Sequence, residues 1–326
     1  MISARIPASR AKLPVWIALV ALLLLPHCFA TDLRLGIIGT DTSHAVEFAR
    51  ILNGDPSSAM HVSGARVVVA FRGGSPDIAA SRDRIEKFSA ELRETWKIPF
   101  VNTIRQLCPL VDGILLESVD GRVHLSQFRQ AAACGKPVFI DKPLASTLAD
   151  ALAIDRTARA AHVPWFSSSS LRFGPIQRMR DADVTGALVW GPGPVEAHHQ
   201  LDLSWYGIHT VEMLFTVMGT GVEQVTRTCS PQADVVTGVW KGGRIGTLRV
   251  IRPESSYGAI VYRSNGRAVA DADVSVGYAP LLDQIVKFMQ TRIPPVSNAE
   301  TLEIFRFMDA AQKSCEHGGV PVSIVR

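Results

Sequence analysis

The chain has 326 residues, 47% hydrophobic and 20% charged, with 34 Lys and Arg against 30 Asp and Glu. That composition supplies a full globular core and excludes a disordered or low-complexity chain. Three of the positives, Arg5, Arg10 and Lys12, precede the apolar run PVWIALVALLLL; without them the balance is 31 against 30, so nothing in the charge calls for nucleic acid or an anionic surface as partner.

The first thirty residues read as a secretory leader: a basic start, a short apolar stretch, and the small residues Cys28 and Ala30 before a cleavage point after Ala30. The apolar run is short for a bilayer span of about 20 residues. The expectation is therefore an exported body, periplasmic or extracellular, with no stable membrane span after processing. An uncleaved N-terminal anchor holding the body outside is the alternative. Cys108, Cys134, Cys229 and Cys315 lie far apart and form no C-x-x-C. Export permits disulfides, but spacing predicts none, and buried free thiols are expected.

From Leu33 to about Leu144 strands and helices alternate. The strands are LRLGIIG, ARVVVAF, a short PFV, VDGILLE and KPVFID, and the helices span Ala45 to Leu52, Asp77 to Thr95 and Leu125 to Cys134. Continuous apolar strands separated by helices predict a parallel sheet covered on both faces, a Rossmann-like doubly wound α/β domain over residues 31–148. A helix from Leu148 to Ala161 leaves it. From about Trp165 the chain turns Gly- and Pro-rich, then runs through a helix, GIHTVEMLFTVMG. Strands follow at VEQVTRTC, DVVTGVW, RIGTLRVIR, YGAIVYR and RAVADADV. Lys241-Gly242-Gly243 and Ser264-Asn265-Gly266 are hairpin signals. Two closing helices and a last apolar segment, VPVSIV, complete an α+β domain over residues 149–326 with an open, mostly antiparallel sheet. Its closing helix is expected to pack back on the first domain.

Five motifs in order resemble one family, that of glucose–fructose oxidoreductase, inositol dehydrogenase and rhizopine catabolism (Gfo/Idh/MocA). AAACGKPVFIDKPLASTLADA is similar to its Gly-Lys pair before a strand ending in Glu-Lys-Pro, here Asp141-Lys142-Pro143. VDGILLESVDGRVH resembles the strand and loop leading to a His, here His124. WFSSSSLRFGP resembles the crossover strand ending in Arg172-Phe173. YGIHTVEMLFTVMG is similar to the G-x-H-x-x-D helix, with Gly207, His209 and Glu212, and PPVSNAETLEIFRFMDAAQKS resembles the closing helix. The resemblance implies hydride transfer between NAD or NADP and a hydroxyl-bearing carbon of a sugar or polyol, or in a minority of members redox-assisted glycoside cleavage. It also implies a homo-oligomer built through the second sheet.

The chain departs from this pattern in three places. The glycine fingerprint G-x-G-x-x-G is reduced to Gly39-Thr40-Asp41-Thr42-Ser43-His44, with one glycine left. Read without a gap, Asp41 faces the diphosphate and repels it by roughly 3–4 kcal/mol. Read as a shorter loop, which Ala45 onward favours, Thr42 or Ser43 caps the helix and its free N–H groups still meet an anion. Second, Arg72 stands after strand two where an acidic residue often takes the ribose; an Arg suits the 2′-phosphate of NADP. Third, Trp205 occupies the position of an Asp four residues before the His.

The expected catalytic set is Lys142, His209 and Tyr206: His209 as base, Lys142 easing the developing alkoxide, and Tyr206 or Asp202 standing in for the missing Asp. Gly39 to His44, Arg72, Glu117, Asp141 and Lys142 are expected at the cofactor, and Arg172, Asp202, Trp205 and Glu212 at the substrate. No metal is expected. The adjacent His198 and His199 point to opposite faces of a strand, and His209 with Glu212 lacks a third ligand. Two functions follow, an exported NAD(P)-dependent oxidoreductase on a carbohydrate-like small molecule, or a non-catalytic carbohydrate-binding protein on the same fold.

Overall fold

The computed structural model describes residues 1–2 and 32–324; the expected leader and its cleavage point lie outside the described residues. The first sheet contains β1 (Leu33–Ile38), β2 (Ala65–Phe71), β3 (Phe100–Val101), β4 (Gly113–Leu116), β5 (Val138–Ile140) and β6 (Trp165–Phe166). Its order is β3-β2-β1-β4-β5-β6, every pair parallel. β4 and β5 are apolar and buried at every position, as strands covered on both faces must be. The order reverses between β1 and β4, and a crevice opens there at the strands' C-terminal ends.

Helices α1 (Ser43–Asn53), α2 (Ala79–Arg82), α3 (Ile85–Glu94), α4 (Ile104–Leu107), α5 (Gly121–Ala132) and α6 (Leu148–Ala161) connect these strands. The single helix expected from Asp77 to Thr95 is broken at Asp83 and Arg84 into α2 and α3. The break lets Ile85 turn inward beneath Gly74, where a Cβ would come within 2.5 Å of its Cδ1. The short α4 escaped the sequence reading, although Thr103 and Gln106 form a complete capping box at its start.

The second sheet is built from β7 (Val184–Pro192), which precedes helices α7 (Asp202–Trp205) and α8 (Ile208–Met218), and from β8 (Val222–Cys229), β9 (Ala233–Trp240), β10 (Ile245–Ile251), β11 (Gly258–Arg263), β12 (Ala268–Asp271) and β13 (Val322–Ser323), which follow them. It runs β12-β11-β7-β10-β9-β8-β13, antiparallel except between β7 and β10. β7 lies in the Gly- and Pro-rich segment, where no strand was expected. Gly186 is there because a Cβ would stand 2.7 Å from the Ile245 carbonyl, so it marks a close approach between strands.

α8 and α10 (Asn298–Glu316) cover one face of this sheet, and α9 (Ala279–Thr291) packs in the core of the first. Phe215 of α8, Trp240 of β9 and Phe307 of α10 meet with ring centroids 5.6–6.2 Å apart. Each is fully or almost fully buried, a contribution of about 1.5–3 kcal/mol per side chain. The core is continuous between the sheets: Ile140 and Trp165 belong to the same apolar cluster as Val189, Leu248 and Phe305.

The expectation of free thiols is corrected. Cys108 bridges to Cys134, and Cys229 to Cys315. Each partner is remote in sequence and is delivered by packing. Cys108 follows α4, which lies against the α5 that Cys134 follows; Cys229 ends β8, on which α10 and its Cys315 rest.

Candidate active site

The loop after β1 is held by three separate anchors. Gly39 adopts φ +92°, and a Cβ on it would lie 2.3 Å from Ser118 Oγ, so only glycine allows the turn and the close approach of the β4 loop. The N–H groups of Gly39 and Thr40 donate to the carbonyls of Phe71 and Arg72, each at 2.9 Å. Thr40 Oγ1 pairs with Ser89 Oγ on α3 at 2.7 Å. Asp41 is fully buried and its Oδ1 accepts from the Val119 N–H at 3.2 Å. Thr42 is the cap of α1, accepting from the His44 N–H at 3.3 Å. The loop is therefore the shorter of the two forms. The side chains of Thr40 and Asp41 brace it, while the N–H groups of Asp41, Thr42 and Ser43 have no partner among the described residues.

Thr42, Ser43 and His44 form one wall of a cleft of about 390 Å³. Lys142, immediately past β5, enters from the floor, and Arg84 and Val119 stand at the side. Trp205, Tyr206 and His209 come from α7 and α8, and Tyr257 and Tyr278 complete the far wall. Lys142 Nζ lies 5.8 Å from the Tyr206 ring centroid, and Tyr206 meets His209 edge-on at 5.3 Å. His209 Nδ1 is 2.7 Å from Ser169 Oγ, which also accepts from the Leu171 N–H. Burial, and then the charge of Lys142, hold the His209 imidazolium well below its ordinary 6.5. Burial pushes the Tyr257 and Tyr278 phenols above their ordinary range.

Beneath the cleft floor lie Glu117, one residue past β4, and Asp141, one residue past β5, with His44 Nδ1 2.7 Å from Asp141 Oδ2. Burial and the charge of Asp141 raise the Glu117 carboxyl well above 4.5. Burial also acts to raise Asp141, but His44 and Lys142 outweigh it and hold that carboxyl below 3.8.

Several expected site residues stand elsewhere. Arg172 and Glu212, expected at the substrate, form a buried ion pair at 2.6 Å, and Arg172 reaches Glu300 on α10 at 2.6 Å. Asp202, expected there too, pairs with Arg227 at 2.9 Å. None of the three lines the cleft. Each is claimed by an opposite charge from a distant segment, which composition around the motif does not reveal. Arg72 pairs with Glu86 at the surface. His198 pairs with Glu196, while His199 is buried against Asp120 and Ser204.

Sequence reasoning missed Ser169, Tyr257, Tyr278 and Arg84, whose places depend on tertiary packing alone. His124 was picked out only by its motif. Its ring spans the carbonyls of Ser118 at 2.7 Å and Leu144 at 3.2 Å, tying the β4 loop to the Asp141-Lys142-Pro143 turn.

Comparison with known proteins agrees with this geometry. A family model described as an oxidoreductase family with an NAD-binding Rossmann fold, Gfo/Idh/MocA, matches residues 33–168. No curated protein matches the chain. Among solved structures, a probable dehydrogenase from Thermotoga maritima is 20% identical with a TM-score of 0.70, covering 90% of this chain and 99% of its own. A putative myo-inositol dehydrogenase from Sinorhizobium meliloti 1021 is 16% identical at TM-score 0.70, over 90% and 100%. The myo-inositol dehydrogenase of Lactobacillus casei, solved with NAD(H) and myo-inositol, is 16% identical at TM-score 0.70, over 90% and 97%. At these identities the neighbours establish the shared fold. Over residues 33–168, its Rossmann portion, this chain matches the Gfo/Idh/MocA oxidoreductase family.

Proposed function

We propose that the chain is an exported, nicotinamide-dependent oxidoreductase acting on a hydroxyl-bearing carbon of a sugar or polyol. The observation that carries this reading is the meeting of Lys142 and His209 in one cleft, beside a helix N-terminus with three N–H donors that have no partner among the described residues. Those donors, with Lys142 and Arg84 close by, suit a pyrophosphate, since a helix start favours an anion. Asp41 does not oppose it, because its carboxylate is turned to Val119. When bound, the nicotinamide supplies the acceptor or donor of the hydride.

The chain's own residues handle the proton. In the tautomer that donates Nδ1–H to Ser169, His209 presents Nε2 as a lone pair; burial and Lys142 keep the ring neutral at pH 7, ready to accept. The Lys142 ammonium stabilises negative charge developing on the substrate oxygen. The tyrosines and Trp205 offer flat faces and hydroxyls to a polyol.

Export accords with the leader and with two disulfides, which persist in oxidising compartments. Self-association is part of the reading: Val235, Ile245 and Tyr262 lie exposed on strands of the second sheet, and light scattering would measure it. A second reading, carbohydrate binding without turnover, draws on Trp205 at the position where relatives carry an Asp.

One experiment separates the two: calorimetric titration of the purified protein with NAD⁺ and NADP⁺, alongside mass spectrometry of whatever nucleotide denaturation releases. Binding of either supports the oxidoreductase, and the preferred one reports whether Arg72 meets a 2′-phosphate. No nucleotide bound or released defeats it.

A further inference from the structure

The ends of α1, β4 and β5 bring His44, Glu117 and Asp141 together under the cleft. One potential ligand atom from each lies within 4.8 Å of the others. Glu117 is 0% exposed, Asp141 1% and His44 8%. Their hydrogen-bonding capacity is unused. Both carboxylate oxygens of Glu117, Oδ1 of Asp141 and Nδ1 of His44 are buried with no hydrogen-bond partner among the described residues. His44 Nδ1 sits 2.7 Å from Asp141 Oδ2, but too far off axis to make a hydrogen bond.

Buried polar groups are nearly always satisfied, and several orphans around one point require an account. Protonating Glu117 relieves the repulsion between the carboxylates but supplies a single donor for several orphaned acceptors. A cation satisfies all of these groups at once.

We propose that His44, Glu117 and Asp141 bind one first-row divalent cation of the Mn²⁺ or Zn²⁺ type. One imidazole with two carboxylates is a mixed nitrogen and oxygen set, which suits these ions better than Ca²⁺ or Mg²⁺, whose ligands are oxygen. The two carboxylate charges balance the ion. Entry is from the cleft, which His44 lines while Glu117 and Asp141 lie behind it, so any remaining coordination position faces the cleft. The site depends on no bound nucleotide, so it stands or falls separately from the redox reading.

The test is calorimetry on chelator-stripped, nucleotide-free protein with MnCl₂ and ZnCl₂, with Mn²⁺ electron paramagnetic resonance as a second readout. One equivalent should bind and raise the melting temperature. Glu117→Gln, an isostere without charge, should weaken binding by at least the roughly 10–100-fold that loss of an outer-sphere partner costs. His44→Gln should do the same should Glu117→Gln fail to fold. His198→Ala, at the exposed pair with Glu196, should leave binding intact. The proposal is overturned when the wild-type chain takes up neither ion, when Glu117→Gln binds as tightly as wild type, or when His198→Ala alone abolishes binding. Failure here with NAD⁺ still bound would remove the cation and leave the oxidoreductase standing.

Discussion

Arg172→Met is the substitution that best separates a structural from a substrate-binding role. The guanidinium is buried between Glu212 and Glu300 at 2.6 Å each, and the side chains of these acids are 3% and 21% exposed. Met keeps the bulk of the stem and removes both ion pairs. Water can reach Glu300 in part, but Glu212 is left charged in the core, and breaking a buried pair in this way costs about 3–5 kcal/mol. In a chain of this size that is a fall of roughly 6–10 °C in Tm, at about 2 °C per kcal/mol. The loss should depend on pH. Burial already lifts the Glu212 carboxyl above its ordinary 4.5 in spite of Arg172. An acid whose folded pKa is raised costs stability above its unfolded value and nothing well below it. Removing Arg172 raises it further, so the deficit should be full at pH 8 and shrink toward pH 4.5. Urea unfolding across that range measures it, and Glu212→Gln in the same background should recover most of the loss at pH 8. A variant within 1 kcal/mol of wild type at pH 8, but with a KM raised tenfold or more, would refute this reasoning and return Arg172 to the substrate.

Lys142→Met and His209→Asn should each lower kcat by about 10²–10³ with Tm within a few degrees, as for loss of one transition-state hydrogen bond. Because burial and then Lys142 depress His209, the acidic limb of the wild-type rate profile should fall below pH 6.5, and in the residual activity of Lys142→Met it should move up. Asp41→Gly should fail to tighten dinucleotide binding in calorimetry, since the carboxylate is buried and braces the Val119 N–H. Reduction with dithiothreitol should lower stability by about 3–5 kcal/mol per bridge, the loops spanning 26 and 86 residues; denaturant melts with and without reductant would measure this.

Local patterns in the sequence were enough for five of the six strands of the first sheet, because each is a short apolar run; β6 lay beyond the expected boundary at residue 148. They also located Lys142, His209 and Tyr206, which the structure brings to one cleft. What stayed hidden depends on partners far along the chain. β7 was not among the expected strands because its glycines serve contacts with β10 and with Tyr257, and close approach looks the same as a turn in a sequence. Arg172, Asp202 and Glu212 read as substrate ligands because an isolated charge near a motif carries no trace of the opposite charge that occupies it. The cysteines were misjudged for the same reason. His44, Glu117 and Asp141 were each assigned to a cofactor, and their mutual contact is a product of the parallel register of β4 and β5.

The unbroken core linking the two sheets bears on cooperativity. With Ile140, Trp165, Leu248 and Phe305 in one cluster, the second sheet shares its apolar interior with one face of the first, whose other face keeps a cluster of its own around Phe48, Phe139 and Phe288. Loss of the second sheet should therefore strip one face of the first sheet bare while its other face stays packed. A lesion beneath the second sheet would then reach the Rossmann crevice through the shared face, which carries Ile38, Leu116 and Ile140 at the ends of the strands that form it.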